Sequence, residues 1–292
     1  PGGCAIGSRP VDLHIAGMES LGAEIVIEDG FIKASRRERL RGATINLPFP
    51  SVGATENIIM AASLAEGTTR INNSALEPEI IDLVDCLNAW GANIRGAGKS
   101  TIVIEGVQKM NGGFFRVMSD RIETATFLAA AAATGGKIRT RNVDPTNISA
   151  VLEKLRKAGG DLTLGADWIE LDMRGKRPKA VDFKTGPYPD FPTDMQAQFT
   201  VVNSLAIGTA YITETIFENR LMQVQELRRM GAKIALNDNE AVVTGVSKLT
   251  GTRVMASDLR ASAALVIAGV AAEGETIIEE IHHVDRGYEC FE

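Results

Sequence analysis

The hydrophobic and polar positions of this chain repeat with a period of roughly 70 residues. An apolar helical stretch ends at a Gly before a short strand pattern at Gly67, Gly135, Gly208 and Gly274. A second helical stretch ends at a Gly before another strand pattern at Gly22, Gly91, Gly159 and Gly231. Gly is common directly after a helix, because it adopts positive φ without steric cost. The pattern therefore predicts units of strand, helix, strand, helix, strand and strand.

The two helices of each predicted unit differ in polarity. The first is apolar on nearly every side, as in residues 126–133 and 261–272, which is typical of a buried helix. The second carries more charge, as in residues 150–158 and 224–230, so we expect it to be partly exposed. Short strands are expected at residues 68–71, 137–140, 209–212 and 275–278. Buried helices enclosed by sheets predict an α/β (α+β) protein in which the usual barrel arrangement is turned inside out.

Composition and charge narrow the classes of function. The chain has 292 residues and a formal net charge of -6, and its 31 basic residues are dispersed, which argues against a nucleic-acid-binding face. No apolar run approaches the roughly 18–20 residues of a membrane span, and we see no signal-peptide pattern. The three cysteines are too scattered for a disulfide framework or a zinc site. We expect a cytoplasmic protein that binds no metal, membrane or nucleic acid.

The first thirteen residues, PGGCAIGSRPVDL, form a glycine-rich segment around Cys4. Three glycines favour a loop, which keeps the thiol exposed and mobile. Arg9 could hold an anionic substrate and favour the thiolate of Cys4. The alternative is a flexible glycine-rich terminus with an incidental thiol. Pro10 predicts the first turn of a helix, where its missing N–H has no consequence.

A Ser or Thr followed by Asp precedes three of the buried helices, at Ser119-Asp120, Thr193-Asp194 and Ser257-Asp258. Such residues are typical helix N-caps, whose side-chain oxygens accept from free backbone N–H groups. The N-terminus of a helix also attracts anions, so capping and ligand binding are compatible interpretations here.

The motifs PGGCAIGSRPVDL, FPTDMQAQF, ETIFENR, MASDLRAS and HHVDRGYE occur in this order across the whole chain. Together they resemble the UDP-N-acetylglucosamine enolpyruvyl transferase family. The resemblance implies two inside-out α/β barrel domains built from βαβαββ units. Residues 1–118 would belong to the domain that carries the mobile loop, and residues 119–292 would form most of the other domain.

The resemblance also implies an activity, the transfer of the enolpyruvyl group of phosphoenolpyruvate to the 3′-hydroxyl of UDP-N-acetylglucosamine. Phosphate is released, and the reaction begins bacterial peptidoglycan synthesis. The family needs no cofactor or metal, so the expected partners are these two small-molecule substrates. In this picture Asp194 accepts the hydroxyl proton, Cys4 donates a proton to the methylene carbon and is alkylated by fosfomycin, and Asp258 assists proton transfer. A general base of this kind needs a raised pKa.

Four arginines match family motifs and are implied to hold the anionic groups of phosphoenolpyruvate, namely Arg9, Arg220, Arg260 and Arg286. Planar guanidinium groups bind carboxylate and phosphate in a bidentate manner, although scattered arginines are more often simply solvated.

The implied UDP-N-acetylglucosamine site consists of Arg9, Pro10, Val11, Asp12, Leu13, Ser51, Val52, Gly53, Asp194 and Ile216. Ile216 could equally be part of a strand core. Phe49 stands where family members place a Lys, which puts direct pairing of a charge with the diphosphate in doubt.

Two alternatives to this activity remain. The shikimate-pathway enolpyruvyl transferase shares the fold, but the PGGC loop and the RPVDL turn count against it. The other is a non-catalytic fragment or paralogue that serves as a binding or regulatory module. The repeat starts and stops within a unit, so we expect a fragment that lacks about the first quarter and a short C-terminal tail. The family has a Lys–Asn pair and another Arg in that quarter, so we expect the chain to be inactive alone unless another chain supplies the segment.

Overall fold

The computed structural model of the chain describes residues 6–7, 10–289 and 291. These residues form two compact units. The first comprises residues 10–118, and the second comprises residues 6–7, 119–289 and 291. No described helix combines the length and apolarity that a membrane crossing requires.

The first unit contains three helices and six strands in its described part. In chain order they are α1 (Asp12–Ser20), β1 (Glu24–Glu28), β2 (Phe31–Ser35), β3 (Thr44–Asn46), α2 (Val52–Ser63), β4 (Thr68–Asn72), α3 (Pro78–Ala89), β5 (Asn93–Arg95) and β6 (Thr101–Glu105). Helix α2 packs its apolar residues, Ile58 and Ile59 among them, into the core of this unit. The strands β3 to β6 form one sheet in the order β3-β4-β6-β5.

The second unit begins with α4 (Arg121–Thr134), β7 (Lys137–Arg141), α5 (Ser149–Lys157), β8 (Asp161–Leu164) and β9 (Trp168–Asp172). It continues with β10 (Phe183–Lys184), α6 (Gln196–Ser204), β11 (Thr209–Thr213), α7 (Gln223–Arg229), β12 (Lys233–Asn237) and β13 (Glu240–Thr244). Its last elements are β14 (Arg253–Met255), α8 (Leu259–Ala271), β15 (Ile277–Glu279) and the short α9 (His282–Asp285). Two 3₁₀ turns, Pro145–Ile148 and Thr193–Met195, precede α5 and α6.

The predicted unit of two helices and four strands is present twice, over β3–β6 and over β10–β13. In both sheets the first strand is parallel to the second, and the remaining pairs are antiparallel. The β10–β13 sheet has the order β10-β11-β13-β12, which is the same order as in the first unit. The repeat read from the sequence is therefore confirmed at the level of strand order.

The unit around α4 departs from the predicted pattern, because no strand precedes this helix between Glu105 and Arg121, a segment that is described throughout. Gly112 and Gly113 favour irregular backbone there. Phe114 and Val117 are 92% and 71% exposed, as expected for a segment that joins no sheet. The sheet of this unit therefore has the order β7-β9-β8.

All eight glycines of the repeat adopt positive φ. Gly135 shows the reason, since it caps α4 at φ 70° and its backbone N–H returns to the carbonyl of Ala131. A side chain would make this left-handed conformation unfavourable. Gly135 follows its helix directly and the glycines of the second set follow theirs after one capping residue, but α2, α6 and α8 end at Ser63, Ser204 and Ala271, before the predicted glycines.

Helices α4, α6 and α8 pack on one another in the core of the second unit. All nine residues of α6 are buried, Phe199 completely. Helix α5 instead buries only Val151, Leu152 and Leu155. The predicted contrast between a buried first helix and a half-exposed second helix is therefore confirmed.

Candidate active site

Asp194 lies in the 3₁₀ turn directly before α6, and its side chain does not cap that helix. Its carboxylate instead accepts hydrogen bonds from two arginines. Nη2 of Arg220 lies 2.8 Å from Oδ1, and Nη2 of Arg260 lies 3.2 Å from Oδ2. The structure thus brings together three of the residues that the sequence motifs singled out.

The two arginines reach Asp194 from different elements. Arg220 lies within the turn that precedes α7, and its side chain is only 4% exposed. Arg260 belongs to the first turn of α8, and its side chain is 13% exposed. Two largely buried cations on one carboxylate, itself 36% exposed, leave a local net positive charge that suits an anionic ligand.

The charges of this cluster influence one another strongly. Burial opposes ionisation of Asp194, but the Arg260 and Arg220 guanidinium groups outweigh burial and hold the pKa of the carboxyl below its ordinary value. Burial likewise opposes the charge of Arg260, but Asp194 and Tyr288 raise its pKa. Asp194 is therefore fully ionised at neutral pH. The raised pKa that a general base needs is not found in this arrangement.

Asp258 is buried and acts as the N-cap of α8. Its Oδ1 accepts from the backbone N–H groups of Arg260 at 3.0 Å and Ala261 at 3.1 Å. The capping interpretation therefore applies to this residue. The cap orients the first turn of α8, from which Arg260 projects.

Glu214 is a buried carboxylate that the sequence analysis did not single out, although it opens the ETIFENR motif. Its Oε1 accepts from the hydroxyl of Thr185 at 2.9 Å and from the N–H groups of Ile216 and Phe217 at 2.7 and 3.2 Å. Its Oε2 accepts from the Thr193 hydroxyl at 2.9 Å. Glu214 thereby ties the turn that leads to Arg220 to the turn that holds Asp194. The sequence pattern that could have identified Glu214 is an acidic residue directly after an apolar strand.

The turn that contains Arg220 contacts the glycine-rich segment near the start of the chain. The N–H of Asn219 donates to the carbonyl of Ile6 at 3.0 Å, and Ile6 is buried. Cys4 and Arg9 lie outside the described residues. Their predicted roles therefore stay predictions, but Ile6, two residues after Cys4, lies beside the turn of Arg220.

The first unit brings together the two segments expected to bind the nucleotide. Helix α1 begins at Asp12, so the prediction that Pro10 forms the first helical turn is wrong; Val11 is the N-cap. Ser51 caps α2 and accepts from the N–H of Ala54 at 3.3 Å.

His14 connects the two helices, because Nδ2 of Asn57 lies 2.6 Å from its Nδ1 and its ring lies against Gly53. A Cβ at Gly53 would lie 3.2 Å from the His14 ring, so this close approach depends on glycine. The backbone of residues 10–13 and of residues 51–53 is thus held at adjacent helix N-termini.

The remaining predicted residues are placed as follows. Ile216 lies in the turn after β11, half-buried, so the strand-core alternative is wrong. Arg286 follows α9 and is exposed. Phe49 is 46% exposed just before the N-cap of α2. Within the part of the chain that the structure describes, no three His, Cys, Asp or Glu side chains are grouped as metal ligands would be.

Comparison with known proteins agrees with these motifs. The EPSP synthase (3-phosphoshikimate 1-carboxyvinyltransferase) family matches residues 1–292. UDP-N-acetylglucosamine 1-carboxyvinyltransferases from Shewanella woodyi and Klebsiella pneumoniae are 60% identical over 292 residues, which cover 100% of this chain and 70% of each relative.

Among solved structures, the enolpyruvyl transferase NikO from Streptomyces tendae matches 97% of this chain and 69% of its own, with a TM-score of 0.86 and 26% identity. EPSP synthase from Acinetobacter baumannii matches 98% of this chain and 70% of its own, with a TM-score of 0.71 and 21% identity, and shows the fold alone. The mixed α/β fold expected from the sequence is confirmed. The chain belongs to the EPSP synthase family of enolpyruvyl transferases and, within it, to the UDP-N-acetylglucosamine 1-carboxyvinyltransferases.

Proposed function

We propose that this chain carries the machinery that transfers the enolpyruvyl group of phosphoenolpyruvate to the 3′-hydroxyl of UDP-N-acetylglucosamine. The observation that carries the proposal is the Asp194 carboxylate between Arg220 and Arg260. Two buried guanidinium groups match a substrate with a carboxylate and a phosphate. A carboxylate beside them is placed to accept the proton of an attacking hydroxyl.

The reaction proceeds by addition and elimination. The 3′-oxygen attacks C2 of phosphoenolpyruvate, Asp194 accepts the hydroxyl proton, and the methylene carbon gains a proton from Cys4. The resulting tetrahedral intermediate loses one methyl proton, which returns to the Cys4 thiolate, and phosphate, which leaves with the proton held by Asp194, so that an enol ether forms. Arg220, Arg260, Arg9 and Arg286 stabilise the negative charge of the intermediate, the kind of contribution that often dominates a rate enhancement.

Substrate binding resolves the conflict between the low pKa of Asp194 and its role as a base. In the arrangement described, Arg260 and Arg220 direct their charge at Asp194. Anionic groups of phosphoenolpyruvate that bind these guanidinium groups neutralise part of that charge. The pKa of Asp194 then rises, because burial of the carboxyl remains and its counter-charge is shared.

The first unit binds the nucleotide in this proposal. Residues 10–13 contact the uridine, and Ser51, Val52 and Gly53 present backbone N–H groups to the diphosphate at the N-terminus of α2. Asp194 and Ile216 contact the amino sugar, and Asp258 assists proton transfer. We assign residues 1–118 to the mobile-loop domain and residues 119–292 to the second domain. Both substrates are cytoplasmic metabolites, so we place the protein in the cytoplasm.

The test is a coupled measurement of phosphate release and product mass. The chain, supplied with the N-terminal segment that the family resemblance implies, is incubated with phosphoenolpyruvate and UDP-N-acetylglucosamine, and phosphate release must require both. Asp194→Asn should lower kcat by roughly 10²- to 10⁴-fold, the usual range for a lost general base. Asp85→Asn, at an exposed position of α3, is the matched control and should turn over like the wild type.

Two other outcomes would replace the proposal. Phosphate release with shikimate 3-phosphate in place of the nucleotide would assign the shikimate-pathway reaction. Calorimetric binding of both substrates without turnover, and without a fosfomycin adduct on Cys4, would assign a non-catalytic binding module.

A further inference from the structure

Tyr288 contacts the Arg260 guanidinium at the nitrogen that does not face Asp194. The tyrosine is buried, with 3% of its surface exposed. Nη1 of Arg260 lies 3.0 Å from the Tyr288 hydroxyl, whereas Nη2 of the same guanidinium contacts Asp194. The tyrosine hydroxyl also lies 3.1 Å from Oγ1 of Thr126, on α4. The tyrosine therefore joins the arginine of α8 to a residue of α4.

The direction of these hydrogen bonds follows from the number of protons that each side chain can donate. The Thr126 hydroxyl donates to the carbonyl of Ile122 at 2.8 Å, so its oxygen accepts from Tyr288. The tyrosine oxygen in turn accepts from Arg260, which has only donors. Nε2 of Gln198 also donates to Thr126, at 3.0 Å. The chain of donors runs one way, from Arg260 through Tyr288 to Thr126.

The parts of this chain are held rigidly. Thr126 and Gln198 are fully buried, on α4 and α6. The Tyr288 ring packs on Phe291 with 4.6 Å between centroids, and the Arg260 guanidinium lies 5.6 Å from the centre of the tyrosine ring. A buried, fully directed hydrogen bond to a cation is among the stronger polar contacts in proteins.

Two further carboxylates compete with Asp194 for the charge of Arg260. Asp120, just before α4, and Glu123, in the first turn of α4, interact electrostatically with its guanidinium. Burial and the charges of Asp120 and Glu289 raise the pKa of Glu123, and Arg260 lowers it. Without the tyrosine hydroxyl, these carboxylates would attract the guanidinium away from Asp194.

We propose that Tyr288, anchored by Thr126, is a positioning residue that aims the Arg260 guanidinium at Asp194 and at the anionic group of the substrate. This inference deepens the proposed function and rests on it for the identity of the anion. Tyr288 itself touches neither Asp194 nor the reacting atoms. It acts by fixing the orientation of the Arg260 guanidinium.

The experiment compares Tyr288→Phe with the wild type and with Tyr211→Phe. Tyr288→Phe keeps the ring and its packing and removes only the hydroxyl. Tyr211 is 52% exposed on β11, which makes it a matched control. Three quantities are measured: the titration of the Asp194 carboxyl by ¹³C NMR without ligand, the Kd of phosphoenolpyruvate with UDP-N-acetylglucosamine present, and the Kd of UDP-N-acetylglucosamine alone.

We expect Tyr288→Phe to raise the pKa of Asp194 toward its ordinary value, because one of its two cations is no longer held in place. The Kd of phosphoenolpyruvate should rise roughly tenfold, as for a lost hydrogen bond to a charged group. The Kd of UDP-N-acetylglucosamine alone should not change. Tyr211→Phe should alter none of these values. Thr126→Val should act in the same direction as Tyr288→Phe, and Thr126→Ser, which keeps the hydroxyl, should restore the wild-type titration.

An Asp194 titration identical in Tyr288→Phe and the wild type would overturn the positioning role, whatever the substrate. If the wild type does not bind phosphoenolpyruvate but Tyr288→Phe still shifts the Asp194 titration, the proposed function fails and the positioning role stands. A folded Tyr288→Phe variant that binds phosphoenolpyruvate as the wild type does would contradict the proposal, because the tyrosine would then not aim Arg260 at the substrate.

Discussion

Arg220 and Asp194 form an ion pair of 2.8 Å although they lie 26 positions apart in the chain. The arginine is buried and the aspartate is half-buried, so the pair is neither a typical surface ion pair nor a fully desolvated one. Arg260, 66 positions after Asp194, completes the cluster at the other carboxylate oxygen, Oδ2. The Asp194 carboxylate thus contributes to the stability of the fold as well as to the proposed chemistry.

The dual role gives Asp194→Asn a pH-dependent effect on stability. Burial opposes the charge of Asp194, but Arg260 and Arg220 outweigh it and lower the pKa in the folded chain. A group with a depressed folded pKa stabilises the fold above its unfolded pKa, about 3.9 for Asp. That stabilisation is lost as the pH falls through the folded value. Asp194→Asn should therefore reduce the free energy of unfolding by roughly 1–3 kcal/mol at pH 7, because Arg220 keeps only a neutral acceptor.

Urea unfolding of the wild type and Asp194→Asn at several pH values between neutral and strongly acidic checks this. The difference between the two curves should be constant at neutral pH and should shrink below about pH 4. Asp85→Asn should follow the wild type throughout. A difference that grows on acidification would mean that the sign of the pKa shift is wrong.

Glu214 should tolerate Gln far better than Leu. Glutamine keeps one oxygen for the Thr185 hydroxyl and the two backbone N–H groups, and its amide can donate to Thr193. Leucine leaves those buried donors without an acceptor, which should reduce the free energy of unfolding by roughly 3 kcal/mol or more. Thermal or urea unfolding measures both variants.

The turn tied down by Glu214 leads to Arg220, so Glu214→Leu should also weaken phosphoenolpyruvate binding even under conditions where the variant is folded. Equal stability of the Leu and Gln variants would show that the four hydrogen bonds to Glu214 contribute little.

Helix α1 approaches α2 closely at Gly17, where a methyl group would lie 2.6 Å from side-chain carbons of Ile58. Gly17→Ala should be destabilising, because overpacking costs roughly 1–3 kcal/mol and exceeds the gain in helix propensity of about 1 kcal/mol. The separation of the helices should also weaken UDP-N-acetylglucosamine binding, measured by calorimetry.

The double variant Gly17→Ala/Ile58→Val tests the cause. Removing Cδ1 of Ile58 relieves one of the two contacts at 2.6 Å, with Cγ1 remaining, so the double variant should be less destabilised than the sum of its single changes. Strict additivity would mean that the two residues do not compete for the same volume.

Phe49→Lys should strengthen UDP-N-acetylglucosamine binding if the diphosphate lies at the N-terminus of α2. Phe49 is 46% exposed just before the Ser51 cap, so a lysine there reaches solvent without disturbing the core. The added cation should lower the Kd several-fold at low salt and less at high salt, because screening weakens exposed charges. Phe49→Gln is the neutral control, and an equal gain in both variants would point to lost hydrophobic exposure rather than to charge.

The sequence by itself determined most of the elements and their order, although the strand expected before α4 does not form. The end of α4 at Gly135 and the apolar character of α6 are local properties, because capping and periodicity depend on residues within a few turns. The motifs also identified Asp194, Arg220 and Arg260 as residues of one site through their resemblance to a family. For Asp258 the local N-cap rule was sufficient.

Only the tertiary structure decided what the Asp194 side chain does. The same Ser/Thr–Asp pattern caps α4 and α8 through Asp120 and Asp258, but at Asp194 two arginines take the place of the helix N–H groups. The role of Tyr288 is not predictable from local sequence either, because its partner Thr126 is 162 positions away. Contacts of that kind depend on how α4, α6 and α8 pack, and no local pattern carries that information.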